Sequence, residues 1–119
     1  MPQEQLVRLL HELGKELVEI RQLARRLNEL FPKRYRDLLH DYRDLSGSCR
    51  ERVCLQDPRY LSSVDELIEM RTRVMHLKIQ YETHLMLYQA RQTLRSLESA
   101  RRKNQHLNLK TQSSNAKPG

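Results

Sequence analysis

Two cysteines and five histidines are the residues of this chain whose types suit metal binding or redox chemistry. Four residues separate Cys49 from Cys54, whereas zinc sites use tighter or repeated pairs with further ligands, and redox pairs use a gap of two. No two histidines have the i, i+4 spacing of a helical metal site. The sequence therefore predicts two free thiols, with no metal site and no cofactor.

Motifs of enzyme active sites are missing as well. The chain has no glycine-rich phosphate loop and no nucleophile motif. We therefore expect no catalytic residues and a protein that is not an enzyme.

Nearly all of the chain's net positive charge lies near its carboxyl end. Residues 91–119 hold seven basic residues and one acid, whereas residues 1–90 hold 15 basic and 14 acidic residues. Such asymmetry favours an acidic partner, either a protein or a nucleic acid. No aromatic residue follows Tyr88, which disfavours base stacking but leaves phosphate contacts open. The predicted contact residues of this basic end are Arg91, Arg95, Arg101, Arg102, Lys103 and Lys110.

A leucine heptad marks the first element, a helix predicted over about residues 3–31. The spacing of alternately four and three residues keeps one stripe facing a partner helix. Pro32 should end this helix, because proline disrupts the preceding turn. The predicted packing seam consists of Leu6, Leu10, Leu13, Leu17, Ile20, Ala24, Leu27 and Phe31.

Two further helices are predicted, over about 33–45 and 63–108. Ser46-Gly47-Ser48 is a break, and residues 50–55 suit one more helical turn. Pro58 should turn the backbone, so that the long helix begins no earlier than Tyr60, and Ser63 with Glu66 has capping-box spacing. Residues 111–119 read as a disordered tail.

Apolar residues go nearly all round the long helix between Val74 and Ala90. Such a helix is expected at the centre, flanked by the first two helices or by a second subunit. The predicted fold class is all-α: an antiparallel helical hairpin or three-helix bundle with coiled-coil character, as a single domain over 1–110. Self-association is a further expectation.

The length and hydropathy of the chain restrict its location. No apolar run approaches the roughly 18 residues that span a bilayer, and the first residues do not resemble a secretory signal. We expect a cytoplasmic protein with reduced cysteines.

The junction Asp57-Pro58-Arg59-Tyr60 resembles the small herpesvirus tegument protein family, of the type encoded by the fourteenth unique-long reading frame of simplex viruses. The similarity extends over about residues 24–103 and includes Ala24-Arg25-Arg26-Leu27 and the segment 85–92. The leucine-heptad helix before Ala24 departs from the simplex-type pattern. The resemblance implies a non-enzymatic minor tegument protein of the virion, host cytoplasm and host nucleus, which supports virion maturation and the transport of partner proteins.

Three functions remain open at the level of sequence. The leading one is a helical adaptor that binds an acidic protein through its basic end. The alternatives are a small basic nucleic-acid-binding protein and a cytosolic chaperone or export adaptor for helical subunits. Salt dependence separates the nucleic-acid-binding alternative from the other two, because phosphate binding weakens steeply with salt and apolar helix capture does not.

Overall fold

Three helices make up the protein in the computed structural model, which describes residues 1–116 and their side chains as far as Thr111. They are α1 (Gln3–Asp41), α2 (Gly47–Gln56) and α3 (Pro58–Ala116). No strand occurs within residues 1–116, so the predicted all-α class is confirmed. The molecule is a rod with dimensions of 106 × 25 × 16 Å.

α1 and α3 form an antiparallel hairpin, as contacts along its length show. The Arg34 Nη1 atom lies 2.6 Å from Glu66 Oε2 near the turn. Further along, Arg71 donates to the side-chain oxygen of Asn28 at 3.3 Å. Beyond that point the Tyr81 ring packs on Gly14, where an added Cβ would lie 3.4 Å from the ring. α2 lies at the turn and touches both long helices.

The face of α1 that packs on α3 follows the leucine heptad. The structure places Leu6, Leu13, Leu17 and Ile20 in the buried core, together with Leu38. The remaining seam residues are partly buried: Leu10, Ala24, Leu27 and Phe31. Across from them, α3 contributes the partly buried Val74, Leu77, Tyr81 and Leu85.

Pro32 does not end α1, contrary to the sequence prediction of separate helices over 3–31 and 33–45. The proline lies inside a single helix that reaches Asp41, with its ring on the exposed side. The Tyr60 ring of α3 explains why the helix continues, because it packs on both Phe31 and Tyr35, with ring centroids 5.7 Å apart in each pair. These contacts hold α1 against α3 before and after Pro32, and tertiary packing outweighs the local preference.

The turn between the long helices also differs from the prediction. A ten-residue helix begins at Gly47, where a break and then a single turn over 50–55 were expected. Arg50 orders the preceding loop, since its Nη2 atom donates to the carbonyls of Arg43 and Leu45, each at 3.0 Å.

α3 begins at Pro58, earlier than the predicted starts at Tyr60 and residue 63. Asp57 is extended, with ψ of 132°, so the backbone does turn before the helix. Proline suits the first helical position, because its φ is preset and its missing N–H needs no partner there. Ser63 is therefore no cap: it lies inside the helix and donates to the Arg59 carbonyl at 3.0 Å.

The other end of α3 extends further than predicted. The helix reaches Ala116, where a helix to about 108 and a disordered tail over 111–119 were expected. No glycine or proline occurs between Val64 and Pro118 to stop it. The last part of the predicted tail, residues 117–119, lies outside the described residues.

Of the two predicted neighbours of the α3 segment that is apolar all round, the first two helices do not flank it on all sides, and the second subunit stays a prediction. α1 covers one side of it, and Met75, Ile79, Met86 and Leu87 are exposed on the others. The hairpin therefore leaves a large part of the apolar surface of α3 open.

Candidate functional site

The polar cluster at the turn is centred on Asp57, a buried carboxylate. Asp57 accepts hydrogen bonds from the Arg59 backbone N–H at 2.8 Å, from Arg59 Nη2 at 3.0 Å and from the Tyr42 hydroxyl at 2.6 Å. Arg59 also reaches back to α1 and donates to Asp41 at 2.9 Å. The cluster thus joins the end of α1 to the start of α3.

The same hydrogen bonds fix the charge states of the cluster. Arg59, and after it Tyr42, hold the pKa of Asp57 well below its usual range. The pKa of Arg59 is raised by its bonds to Asp57 and Asp41, and that of Tyr42 is raised chiefly by its bond to Asp57. A carboxylate held ionised in this way cannot donate a proton near neutral pH. The cluster suits a folding role better than acid–base catalysis.

Each residue of the junction Asp57-Pro58-Arg59-Tyr60 therefore has a role in the fold. Asp57 and Arg59 form the cluster, Pro58 opens α3, and Tyr60 packs on the two aromatic rings of α1. The motif that carries the family resemblance is part of the hairpin turn.

A groove of about 580 Å³ lies beside this cluster. Four of its charged lining residues already pair with each other, Arg34 with Glu66 and Arg59 with Asp41. The groove therefore offers few uncompensated charges to a ligand.

Both cysteines are free thiols, with Cys49 exposed and Cys54 buried on α2. Within the described part of the chain, no group of three or more histidine, cysteine, aspartate or glutamate residues lies close enough to hold a metal ion. His84 Nδ1 lies 2.6 Å from the Gln80 carbonyl oxygen, one helical turn away.

The basic end of α3 lies beyond the first residue of α1. The Arg91 guanidinium donates to the Met1 carbonyl, and Arg91 is partly buried there. From Gln92 to Thr111 every side chain is exposed. This segment extends for about 30 Å at 1.5 Å per residue. All ion pairs found among the described residues lie before Arg91.

Five of the six predicted contact residues lie on one side of this exposed helix. Arg95 and Arg102 are seven residues apart, as are Lys103 and Lys110, so each pair lies along the helix at nearly the same angle. Arg91 lies on the same side, whereas Arg101 lies about 180° around the helix from Lys110 and about 160° from Lys103. We call this side the cationic face: Arg91, Arg95, Arg102, Lys103 and Lys110.

The cationic face continues the side of α3 that packs on α1. Tyr81, Tyr88, Arg95 and Arg102 follow each other at intervals of seven residues. The tyrosines are partly buried beside α1, and the arginines are exposed beyond it. A groove of about 640 Å³ lies where α1 begins, lined by residues that include Gln3, Tyr88 and Arg95. The positive end of the α1 dipole lies at this groove, and Glu4 and Arg8 of the first turns of α1 also line it.

α3 has a second exposed surface, which is apolar. The sequence prediction did not identify its residues as sharing one face. We call it the outer stripe: Leu61, Ile68, Met75, Ile79, Met86 and Leu97. Their exposed fractions range from 50% to 69%. The spacing of mostly seven residues between them was the signal that they share one side of α3, opposite to α1.

Comparison with protein-family models, with curated proteins and with solved structures finds no match to this chain. None of the helices in the described part of the chain has an apolar stretch long enough to cross a membrane.

Proposed function

We propose that this protein is a non-enzymatic helical adaptor whose cationic face binds an acidic helix of a partner protein. One observation carries the proposal: the side of α3 that packs on α1 changes from apolar to cationic where α1 begins. A partner helix can lie along the part of α3 that extends beyond α1. It would continue the line of α1 and cover the cationic face, as α1 covers the apolar part of the same side.

The chemistry of this face favours a helix as the partner. Its cations repeat at intervals of seven residues, which matches carboxylates spaced by about two turns on a facing helix. The exposed Leu107, one turn from both Lys103 and Lys110, adds apolar contact area beside this face. The missing aromatic residues after Tyr88 make base stacking a poor alternative.

The resemblance to the tegument family leads to the same class of function. In a virion tegument, the acidic partner would be another tegument protein, and the adaptor would act in the host cytoplasm and nucleus. The export-adaptor alternative uses the same contact between helices and differs in the identity of the partner.

The test uses charge reversal with a matched control. Arg95→Glu, Arg102→Glu and Lys103→Glu are combined in one variant, and Arg21→Glu, Arg25→Glu and Lys33→Glu in the control. All six side chains are exposed, and both variants change the net charge equally. Fluorescence anisotropy measures binding to a glutamate-rich amphipathic helical peptide, and circular dichroism checks the fold.

We expect the cationic-face variant to bind the peptide about tenfold more weakly or worse, because exposed ion pairs are lost and replaced by repulsion. The control should stay close to the wild type. Equal weakening in both variants would show that net charge alone drives binding.

Tighter binding to a 20-base-pair DNA duplex than to the peptide, with a steep salt dependence, would favour the nucleic-acid alternative. Partner capture from cells with both variants would then identify the natural ligand.

A further inference from the structure

The outer stripe of α3 is an apolar surface that the hairpin leaves uncovered. Its six side chains are at least half exposed and lie on the side away from α1. They extend from Leu61 to Leu97, which is about 54 Å along the helix. A stripe of this length is long enough for a coiled-coil seam, which needs three to four heptads.

The stripe is complementary to itself when two copies run in opposite directions. With a two-fold axis at Ile79, each residue of one copy lies opposite a residue of the other copy. The two facing residues are equally far from Ile79 in sequence, one before it and one after it. An isologous contact of this kind uses the same patch on both subunits. The facing pairs are then Leu61 with Leu97, Ile68 with Ala90, Thr72 with Met86, Met75 with Thr83, and Ile79 with its own copy.

The charges beside the stripe fit the same arrangement. Residues 61–97, which the stripe spans, contain five basic and four acidic residues, so two such segments repel each other little through net charge. A parallel pairing would bring the two basic ends together, whereas an antiparallel pairing separates them by far more than the Debye length of about 8 Å.

We propose that the outer stripe binds the outer stripe of a second copy of this chain, antiparallel and centred on Ile79. The methionines at 75 and 86 adapt to the facing side chains, as methionine does in apolar interfaces. This dimer uses a different surface from the cationic face and does not depend on the proposed function.

Analytical ultracentrifugation of the full chain over a range of concentrations tests the dimer. Ile79→Glu places two carboxylates against each other at the axis, and we expect it to weaken dimerisation at least a hundredfold. Val18→Glu is the matched control, because Val18 is an exposed apolar residue of similar exposure on α1, and it should leave the dimer unchanged. Met75→Gln with Met86→Gln is a second, milder variant that keeps good helix formers and should weaken the dimer in the same direction.

Cysteine cross-linking tests the orientation in a Cys49→Ser background, which removes the exposed thiol. We expect Ile79→Cys to form an intermolecular disulfide with itself. Leu61→Cys should cross-link to Leu97→Cys in a mixture and not to itself. A monomeric wild type at 200 µM, or a dimer that survives both stripe variants, would overturn the interface. Efficient cross-linking of Leu61→Cys to itself would overturn the antiparallel orientation.

Discussion

Leu17 gives the sharpest test of the hairpin. Its side chain is buried between α1 and α3, next to Leu13 on the same stripe and one turn from Gly14. Replacing a buried leucine by alanine costs about 2–5 kcal/mol, through lost transfer free energy and the cavity that remains. We expect Leu17→Ala near the lower end, at about 2–3 kcal/mol, because two helices that pack side by side can close part of the cavity.

The neighbouring residue supplies the control. Val18 is 55% exposed on the other side of α1. Val18→Ala should change the stability by about 0.5 kcal/mol or less, since alanine is the better helix former and little burial is lost. The double variant Leu13→Ala with Leu17→Ala should cost more than either single change. The two residues share one stripe, so the effects need not add.

Thermal unfolding followed by circular dichroism measures these differences. A loss of 2–3 kcal/mol corresponds to a fall in Tm of roughly 8–15 °C for a chain of this size. The reasoning is refuted if Leu17→Ala melts within two degrees of the wild type, or if Val18→Ala is the more damaging of the two, because α1 would then not pack through its leucine stripe.

Two further predictions concern the prolines and Asp57. Pro32→Ala should stabilise the protein by about 1–3 kcal/mol, because it restores a helical hydrogen bond. Pro58→Ala should destabilise it by up to about 1 kcal/mol, because Pro58 preorganises the first turn of α3. Urea unfolding measures both free energies, and changes of the same sign would contradict this interpretation of the two prolines. Asp57→Asn should lower the Tm at neutral pH, since it removes a carboxylate whose pKa is lowered by Arg59 and Tyr42. A lowered folded-state pKa contributes stability above the ordinary pKa of about 4. The Tm difference should therefore narrow as the pH falls below 4, and a constant difference from pH 7 to pH 2 would speak against it.

The sequence predicted the parts of the fold that depend on patterns within one helix. The leucine heptad, the turn before α3 and the all-α class follow from spacing and from proline chemistry. The two wrong helix ends near Pro32 and Pro58 have different causes. α1 continues through Pro32 because Tyr60 packs on Phe31 and Tyr35, contacts with residues far away in sequence. α3 begins at Pro58 because proline suits the first helical position, a local preference that the prediction did not apply.

The candidate site was predicted as a set of residues and not as a surface. The basic residues after Arg91 are evident from composition, but their position beyond α1 depends on the register of the hairpin. That register is set by contacts such as Tyr81 on Gly14 and Arg34 with Glu66. The register of the hairpin shows that Arg95 and Arg102 continue the side of α3 that packs on α1. It also shows that Arg101 lies on another side of the helix.

The two proposed surfaces of α3 have a joint consequence. An antiparallel dimer centred on Ile79 would place its two cationic faces at opposite ends of the particle. Their centres near Lys103 would then be about 70 Å apart, at 1.5 Å per residue. A partner assembly that presents acidic helices at this spacing could bind both ends of the dimer at once. Its affinity for the dimer would then rise through the effective concentration of the second site, whereas the affinity of a single acidic protein would not. Ile79→Glu should therefore weaken binding to a repetitive acidic surface while leaving the affinity for one acidic helical peptide unchanged. An equal loss for both ligands would mean that the outer stripe itself contacts the peptide.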